Sequence, residues 1–208
     1  MTLGLFPLNL VLFPEVRLPL HIFEPRYRAL INECLERGSE FGINLIEEGR
    51  LHPVGCTAIV VDVTEKHPDG RMDIVVEGLR RYRLLEVVSS ESPYTVGTVE
   101  EYLDTTQGYD GKLLDDVLGS YNRIVNMVYG MSAPTLTLDD LSASPSFDMA
   151  PKAGLTPMQR QMLLEIQDEN TRLVLLREHY KDVMPAVTTA DAIQRVIRND
   201  GYLRPKAD

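Results

Sequence analysis

The segment "LPLHIFEPRYRALI", residues 18–31, concentrates the residue types of this chain that could do acid–base chemistry. His21 and Glu24 are three positions apart, and Arg26 follows two positions later. A histidine and a carboxylate held close together can move a proton to or from a substrate. The same side chains can also serve as helix caps or ion pairs, so the local pattern has to decide between the two interpretations.

The local pattern favours a structural role. A strand over 16–22 turns His21 to the polar side of a sheet, away from the side that carries Leu18. Glu24 directly precedes Pro25, and the free N–H groups and dipole of a helix start favour a carboxylate there. We therefore expect Glu24 to cap this helix or to pair with a nearby arginine.

The alternative is a charged pocket, made where the helix start abuts a later strand over 79–88. Its members would be His21, Glu24, Arg26 and Arg81. Charged groups gathered at a partly buried site have shifted pKa values and would suit a small-molecule-binding protein or an enzyme without a standard motif. We favour an ion-pair network that attaches the helix to the sheet, because structural networks shift pKa values too.

Standard motifs for catalysis and metal binding are absent from the sequence. It contains no G-x-S-x-G, no H-E-x-x-H and no G-x-x-x-x-G-K-[ST] phosphate loop. No two of the four histidines have helical i, i+4 spacing, whereas a zinc site needs three or four convergent ligands. We therefore predict no catalytic residue, no metal site and no cofactor.

Charge and composition limit the class of partner. The 208 residues are 44% apolar and 25% charged, which is ordinary for a soluble globular protein. The net charge is -10, and the densest basic cluster, 80–83, is flanked by Glu77 and Glu86. Binding to phosphate backbones needs clustered, uncompensated cations, so we expect no nucleic-acid partner.

The two cysteines and the hydropathy indicate a location. Cys34 and Cys56 form no C-x-x-C pair and are expected to be small buried apolar residues. No apolar run approaches the roughly 20 residues of a membrane span. With so few cysteines and no export signal, we expect a cytoplasmic protein without a membrane partner.

Up to about residue 103, short apolar runs and period-two alternation predict strands. The predicted strands are 4–8, 16–22, 41–47, 55–65, 71–77, 79–88 and 94–102. Asp69-Gly70 predicts a hairpin turn, because glycine accepts the positive φ that closes the loop. One helix, 25–37, interrupts the strands, with Pro25 at its first position and Gly38 after its last.

Beyond a boundary at 103–111 the apolar period becomes helical. Helices are predicted over 112–130, 157–182 and about 189–199. The longest opens with Thr156-Pro157-Met158-Gln159, a capping-box spacing, and Pro185 is expected to end it. The predicted domains are a β-rich domain over 1–104 and a helical domain over 105–208.

Several segments together resemble the N-terminal substrate-binding domain of the ATP-dependent Lon protease, in a stand-alone form. Within residues 5–101 they are "LFPLNLVLFPEVRLPLHIFEPRYRALI", "FGINLI", "VGCTAIVVDV", "DGRMDIVVEGLRRYRLLEV" and "PYTVGTVE". The later "SFDMAPKAGLTPMQRQMLLEIQDENTRLVLL", 146–176, is similar to the helical part of the family. Glu15 departs from the pattern, because the family commonly has a glycine at this position after "FP".

The resemblance implies an α+β protein: an N-terminal PUA-like β pseudo-barrel with one short helix, followed by a C-terminal α-helical bundle. In full-length Lon this region recognises protein substrates, and an AAA+ ATPase and a Ser–Lys protease domain act on them. The 208 residues contain neither a phosphate loop nor a candidate Ser–Lys site, so we expect no enzyme activity.

The function implied by the resemblance is non-catalytic polypeptide binding in protein quality control, alone or as an adaptor. The expected partners are unfolded or exposed polypeptide segments, and an AAA+ protease or chaperone is left open as a further partner. Phe6, Leu12 and Phe13 are candidate groove residues, with burial in the core as an equal alternative for each. PUA-like barrels can bind RNA, but the chain has no aromatic-plus-basic stripe to support that alternative.

Overall fold

The computed structural model describes residues 1–187 and 190–200. The chain divides into two compact units, Met1–Leu103 and Asp104–Asp208. The first unit contains seven strands and one helix. Its elements are β1 (Thr2–Leu8), β2 (Arg17–Ile22), α1 (Pro25–Arg37), β3 (Phe41–Glu47), β4 (Arg50–Leu51), β5 (Val54–Lys66), β6 (Met72–Val88) and β7 (Thr95–Glu101). The helix α1 has the predicted bounds, and Gly38 follows it in the left-handed conformation at φ 60°.

The sheet of the first unit closes on itself. The strand order is β1-β7-β6-β5-β3, and β3 pairs with β1 in parallel to complete the ring. β2 lies outside this ring and, among the residues that the structure describes, pairs with the first half of β6 alone, from Arg17 opposite Glu77 to Ile22 opposite Met72. β7 takes over as the partner of the second half of β6.

The predicted strands 71–77 and 79–88 are wrong as separate elements, because β6 runs unbroken through Gly78 for 17 residues. Gly78 allows another segment of the chain to approach the backbone of β6 closely, and it does not form a turn. A Cβ at this position would fall against the carbonyl oxygen of Phe13, so the segment before β2 crosses β6 at a residue without a side chain. The Gly78 N–H donates to the carbonyl oxygen of Val16 at 3.0 Å, which fixes the crossing.

Glu15 lies at the same crossing and adopts φ 63°, in the left-handed region. Its N–H donates to the Gly78 carbonyl oxygen at 2.8 Å, so this conformation serves the crossing. A residue with a Cβ pays a steric penalty there that glycine avoids. The departure from the family pattern noted at this position therefore has an energetic cost and leaves the turn intact.

Glu15→Gly is expected to raise the free energy of unfolding by about 0.5–1 kcal/mol, because glycine removes the steric cost at φ 63°. Urea unfolding followed by circular dichroism measures it. Glu15→Ala is the matched control, since it removes the charge and keeps the Cβ. Equal stability of the two variants would contradict this account of the turn.

The second unit is helical over its described residues. Its helices are α2 (Gly111–Tyr129), α3 (Pro145–Met149), α4 (Pro157–Glu165), α5 (Glu169–Ala186) and α6 (Ala190–Asn199), with 3₁₀ turns at Leu138–Asp140 and Ala150–Lys152. None of the helices in the described part of the chain combines the length and apolar character of a membrane span. The predicted start of the last helix, residue 189, lies outside the described residues, as does the tail after Asp200.

The predicted long helix over 157–182 is wrong, because the chain breaks between α4 and α5. Ile166 has extended backbone, and its carbonyl oxygen accepts from Arg172 at 2.7 Å instead of from a helical N–H. Arg172 is fully buried and also binds the carboxylates of Glu169 and Asp104. Asp168 starts the new helix by accepting from the Thr171 N–H at 2.8 Å.

A second buried ion pair closes the end of the described chain. Asp200 accepts from Arg160 at 3.0 Å, from the Tyr129 hydroxyl at 2.8 Å and from the Gly154 N–H at 3.0 Å. Burial raises the pKa of Asp200 to about 6, against these favourable partners. As the pH rises, Asp200 loses its proton at a lower pH in the unfolded chain than in the folded protein. Protonated Asp200 therefore stabilises the fold below pH 4, and this contribution is lost as the pH rises through 6.

We expect the free energy of unfolding to fall by about 2–3 kcal/mol between pH 4 and pH 7 through Asp200, and Asp200→Asn to remove that part of the pH dependence. Urea unfolding of both proteins across this range measures the difference. Asp139→Asn, at an exposed turn, is the control and should keep the wild-type slope. Parallel curves for wild type and Asp200→Asn would contradict the assignment.

Candidate functional site

A small apolar pocket lies in the first unit, where the ends of β1 and β2 meet the start of α1. Its volume is about 110 Å³. The residues that line it are Phe6, Pro7, Leu8, Leu20, His21, Ile22, Phe23, Glu24 and Tyr27. This is the segment in which the sequence concentrates its charges, and the structure shows that most of the lining is apolar.

The strand alternation of β2 and the helix start of α1 position this lining. Leu18 and Ile22 are buried and His21 is exposed, which confirms the predicted two sides of the strand. Phe23, the first residue past the strand, leaves the alternation with 58% of its surface exposed. On the inner wall, the ring of Phe6 stacks on Tyr27 with 4.0 Å between centroids.

The candidate groove residues Phe6, Leu12 and Phe13 are core residues in the structure. Their exposed fractions are 5%, 2% and 0%. Phe6 contributes to the wall of the pocket, whereas Leu12 and Phe13 belong to the crossing over Gly78. The expectation that these three side chains line an open groove is therefore wrong. These apolar side chains, although they lie beside prolines, are buried in the core against the sheet.

Glu24 and Arg26 pair with each other at the rim. The Arg26 Nε donates to the Glu24 carboxylate at 2.9 Å, and its guanidinium lies 4.5 Å from the centre of the Tyr27 ring. Glu24 occupies the N-cap position, but its side chain accepts no hydrogen bond from the helix N–H groups. The carboxylate thus serves an ion pair, and its backbone carbonyl begins the helix by accepting from Arg28 at 3.0 Å.

Arg81 lies away from the other three residues of the proposed charged pocket. It is on β6, eight positions beyond Asp73, the strand partner of His21, and this separation corresponds to roughly 25 Å of extended chain. Its side chain is buried, and its guanidinium lies 5.3 Å from the Tyr102 ring. The structure therefore does not assemble the four-residue cluster on which a catalytic or small-molecule site near Glu24 would depend.

A larger cleft of about 410 Å³ lies elsewhere in this unit, between the start of β1, the end of α1 and Tyr94. Its charged side chains already have partners. Glu33 accepts from Arg37 at 2.5 Å and from the Tyr94 hydroxyl at 2.6 Å, and Arg80 pairs with Glu40 at 3.0 Å. Because these charges neutralise one another, the cleft offers little electrostatic attraction to a small charged ligand.

The size of the apolar pocket limits what it can hold. Pockets for whole metabolites are usually about 300–1,000 Å³, so this pocket suits a single apolar side chain. It is bounded by β2, which pairs with β6 on one side and with no other strand of the described residues. A pocket for one side chain beside an unpaired strand edge is the geometry of extended-peptide recognition.

The comparison with known families decides the identity of the domain. The family described as "ATP-dependent protease La (LON) substrate-binding domain" matches residues 2–182. The chain belongs to this family. The Lon substrate-binding resemblance found in the sequence is thereby confirmed, and the α+β fold agrees with that of solved Lon N-terminal domains.

Two solved Lon N-terminal structures match most of the chain. A Lon N-terminal domain protein from Xanthomonas campestris is 26% identical, with a TM-score of 0.68 over 85% of this chain and 96% of that chain. The N-terminal domain of Mycobacterium avium complex Lon protease gives a TM-score of 0.65 over 88% of this chain and 99% of that chain. At 18% identity, this similarity is evidence for the fold alone.

Full-length relatives match over the same region. Lon protease of Parabacteroides distasonis is 30% identical over 112 residues, which are 50% of this chain and 14% of that protein. Lon protease of Desulfosudis oleivorans is 23% identical over 91% of this chain and 25% of that protein. The chain therefore spans a quarter or less of the length of these two curated relatives.

Sequence reasoning missed Leu20, Phe23 and Tyr27 as pocket residues. The available signal was Phe23, an aromatic residue placed between the end of a strand and the start of a helix, where neither apolar face buries it. The volume of the pocket depends on where β1 lies beside β2. No local pattern contains that information, because these two strands are not paired with each other.

Glu24→Gln is expected to lower the free energy of unfolding by less than about 1 kcal/mol, because Glu24 and Arg26 form an exposed pair. Arg81→Ala should cost about 2 kcal/mol or more, since it empties a buried position and removes the contact with Tyr102. Urea unfolding of both variants checks the order. A larger loss for Glu24→Gln would revive the charged cluster as a structural unit.

Proposed function

We propose that the chain is a polypeptide-binding module that recognises extended, partly apolar segments of other proteins. The observation that carries the proposal is the apolar pocket of about 110 Å³ beside β2, a strand that has one partner strand among the described residues. An extended peptide would pair its main chain with the free edge of β2 and place one apolar side chain in the pocket. Membership of a substrate-binding family supports the same class of ligand.

Phe23 supplies the exposed contact for such a peptide. Phe23 lines the pocket with 58% of its surface exposed, and the ring of His21 stacks beside its ring with 5.9 Å between centroids. Burying an exposed aromatic side chain is a large favourable term in binding. Pro19, within β2, lacks an N–H and limits how this edge can pair, which disfavours uncontrolled association of one sheet with another.

The proposal includes the wider role that the family suggests. The module would act alone or as an adaptor in protein quality control, without catalysis of its own, and would present captured segments to an AAA+ protease or chaperone. We also assign its closed sheet to the PUA-like pseudo-barrel class with a helical bundle after it, on the parallel pairing of β1 with β3. The low cysteine content supports a cytoplasmic setting.

The test is binding of a permanently unfolded protein, reduced and carboxymethylated α-lactalbumin, measured by fluorescence anisotropy. Wild type should bind saturably, and Phe23→Ser should weaken binding at least about tenfold, because the aromatic contact is worth about 1.5–3 kcal/mol. Val87→Ser is the matched control, since Val87 is also 58% exposed and lies on β6 away from the pocket lining. It should bind as wild type does.

Two results would contradict the proposal. If wild type shows no saturable binding to the unfolded protein or to a peptide array, polypeptide recognition is excluded. Equal losses of binding affinity for Phe23→Ser and Val87→Ser would indicate non-specific binding to exposed apolar surface and would exclude the pocket as the binding site.

A further inference from the structure

Three strands bring together polar side chains that are far apart in the sequence. In the extension formed by β2, the first half of β6 and the end of β5, Asp73 lies opposite His21 on one side and opposite Glu65 on the other. Residues directly opposite in antiparallel strands share a face of the sheet. His67 follows Glu65 by two positions and returns to the same group.

The ligand atoms of this group converge. The His21 Nδ1 is 2.8 Å from one oxygen of the Asp73 carboxylate, and the His67 Nε2 is 3.3 Å from the other. The nitrogen of each histidine and the carboxylate oxygen of Asp73 all lie within 4.8 Å of one another. Two ligands on a tetrahedral zinc ion are about 3.3 Å apart, given metal–ligand distances near 2.0–2.1 Å, so small side-chain rotations would suffice.

Glu65 occupies the place of an outer partner. Its carboxylate is 3.5 Å from the Nδ1 of His67, the ring nitrogen opposite the one that faces Asp73. Histidines that bind a metal usually donate their second ring N–H to such a carboxylate, which fixes the tautomer and the ring orientation. The arrangement thus contains the inner ligands and one supporting contact.

The backbone holds these groups in place. The hairpin between β5 and β6 is closed by the His67 N–H on the Arg71 carbonyl and the Gly70 N–H on the His67 carbonyl, both at 2.9 Å. The side chains of His21, His67 and Asp73 are 45%, 25% and 33% exposed, so an ion can reach them from solvent. A pre-organised set of ligands at the surface reduces the ordering cost of binding an ion.

We propose that His21 Nδ1, His67 Nε2 and the Asp73 carboxylate form a binding site for a divalent transition-metal ion of the zinc class. Two imidazoles and one carboxylate select zinc, nickel or copper over magnesium and calcium, which prefer oxygen ligands. Three protein ligands leave a fourth position for water or for a group from a partner. The site shares His21 with the lining of the apolar pocket, but it is tested by metal binding alone, without any peptide.

The experiment is titration of the full, tag-free chain with Zn²⁺ in the presence of a competing chelator of known affinity. Wild type should bind one equivalent. His21→Ala and His67→Ala should each weaken binding at least about thirtyfold, and Glu65→Gln about tenfold, as expected for loss of a ligand and of its outer partner. His52→Ala is the matched control, because it removes a histidine of the same unit outside the group, and it should bind as wild type does.

Folding is checked by the circular dichroism spectrum of each variant, and Co²⁺ in place of Zn²⁺ supplies a direct readout. Visible absorption bands of tetrahedral Co²⁺ should form with wild type and be lost with His21→Ala and His67→Ala. The proposal is overturned if wild type binds no Zn²⁺ below millimolar concentration. It is equally overturned if His52→Ala weakens binding as much as the two ligand variants do.

Discussion

The first unit depends on the passage of one chain segment over another at Gly78. Because this residue has no Cβ, the segment that ends in Glu15 can lie against the backbone of β6 and exchange hydrogen bonds with it. β6 therefore continues past the crossing, with β2 as its partner before it and β7 after it. The closed sheet and its three-stranded extension therefore share β6, on the two sides of this crossing.

Both candidate sites lie on that extension or at its border. Within the described part of the chain β2 pairs with β6 alone and leaves its other edge unpaired, and its last residues line the apolar pocket together with the end of β1. The same pairing places His21 opposite Asp73, and the hairpin brings His67 to the group. His21 thus touches both features: it lines the pocket and belongs to the metal-ligand group.

The second unit is organised by buried arginines. Arg172 takes the carbonyl of Ile166 together with two carboxylates, and Arg160 pairs with Asp200 while also donating to the Leu155 carbonyl at 3.1 Å. A buried charge must keep its partners, because leaving one unpaired costs several kcal/mol. That requirement explains why the helix predicted to run from 157 to 182 is divided. The guanidinium of Arg172 binds the carbonyl oxygen of Ile166, and this interaction stabilises an extended segment where a continuous helix would have made its own hydrogen bonds.

The sequence by itself determined the elements whose causes are local. The bounds of α1 follow from Pro25, its apolar period and Gly38, and the sides of β2 follow from strict alternation. The family could also be identified, because several motifs occur in the right order. Only the tertiary structure decided that Gly78 allows a crossing, that Arg81 lies apart from Glu24, and that Phe6, Leu12 and Phe13 are core residues. It also decided that His21, Asp73 and His67 meet, since strand register joins residues about 50 positions apart and no local periodicity carries that information.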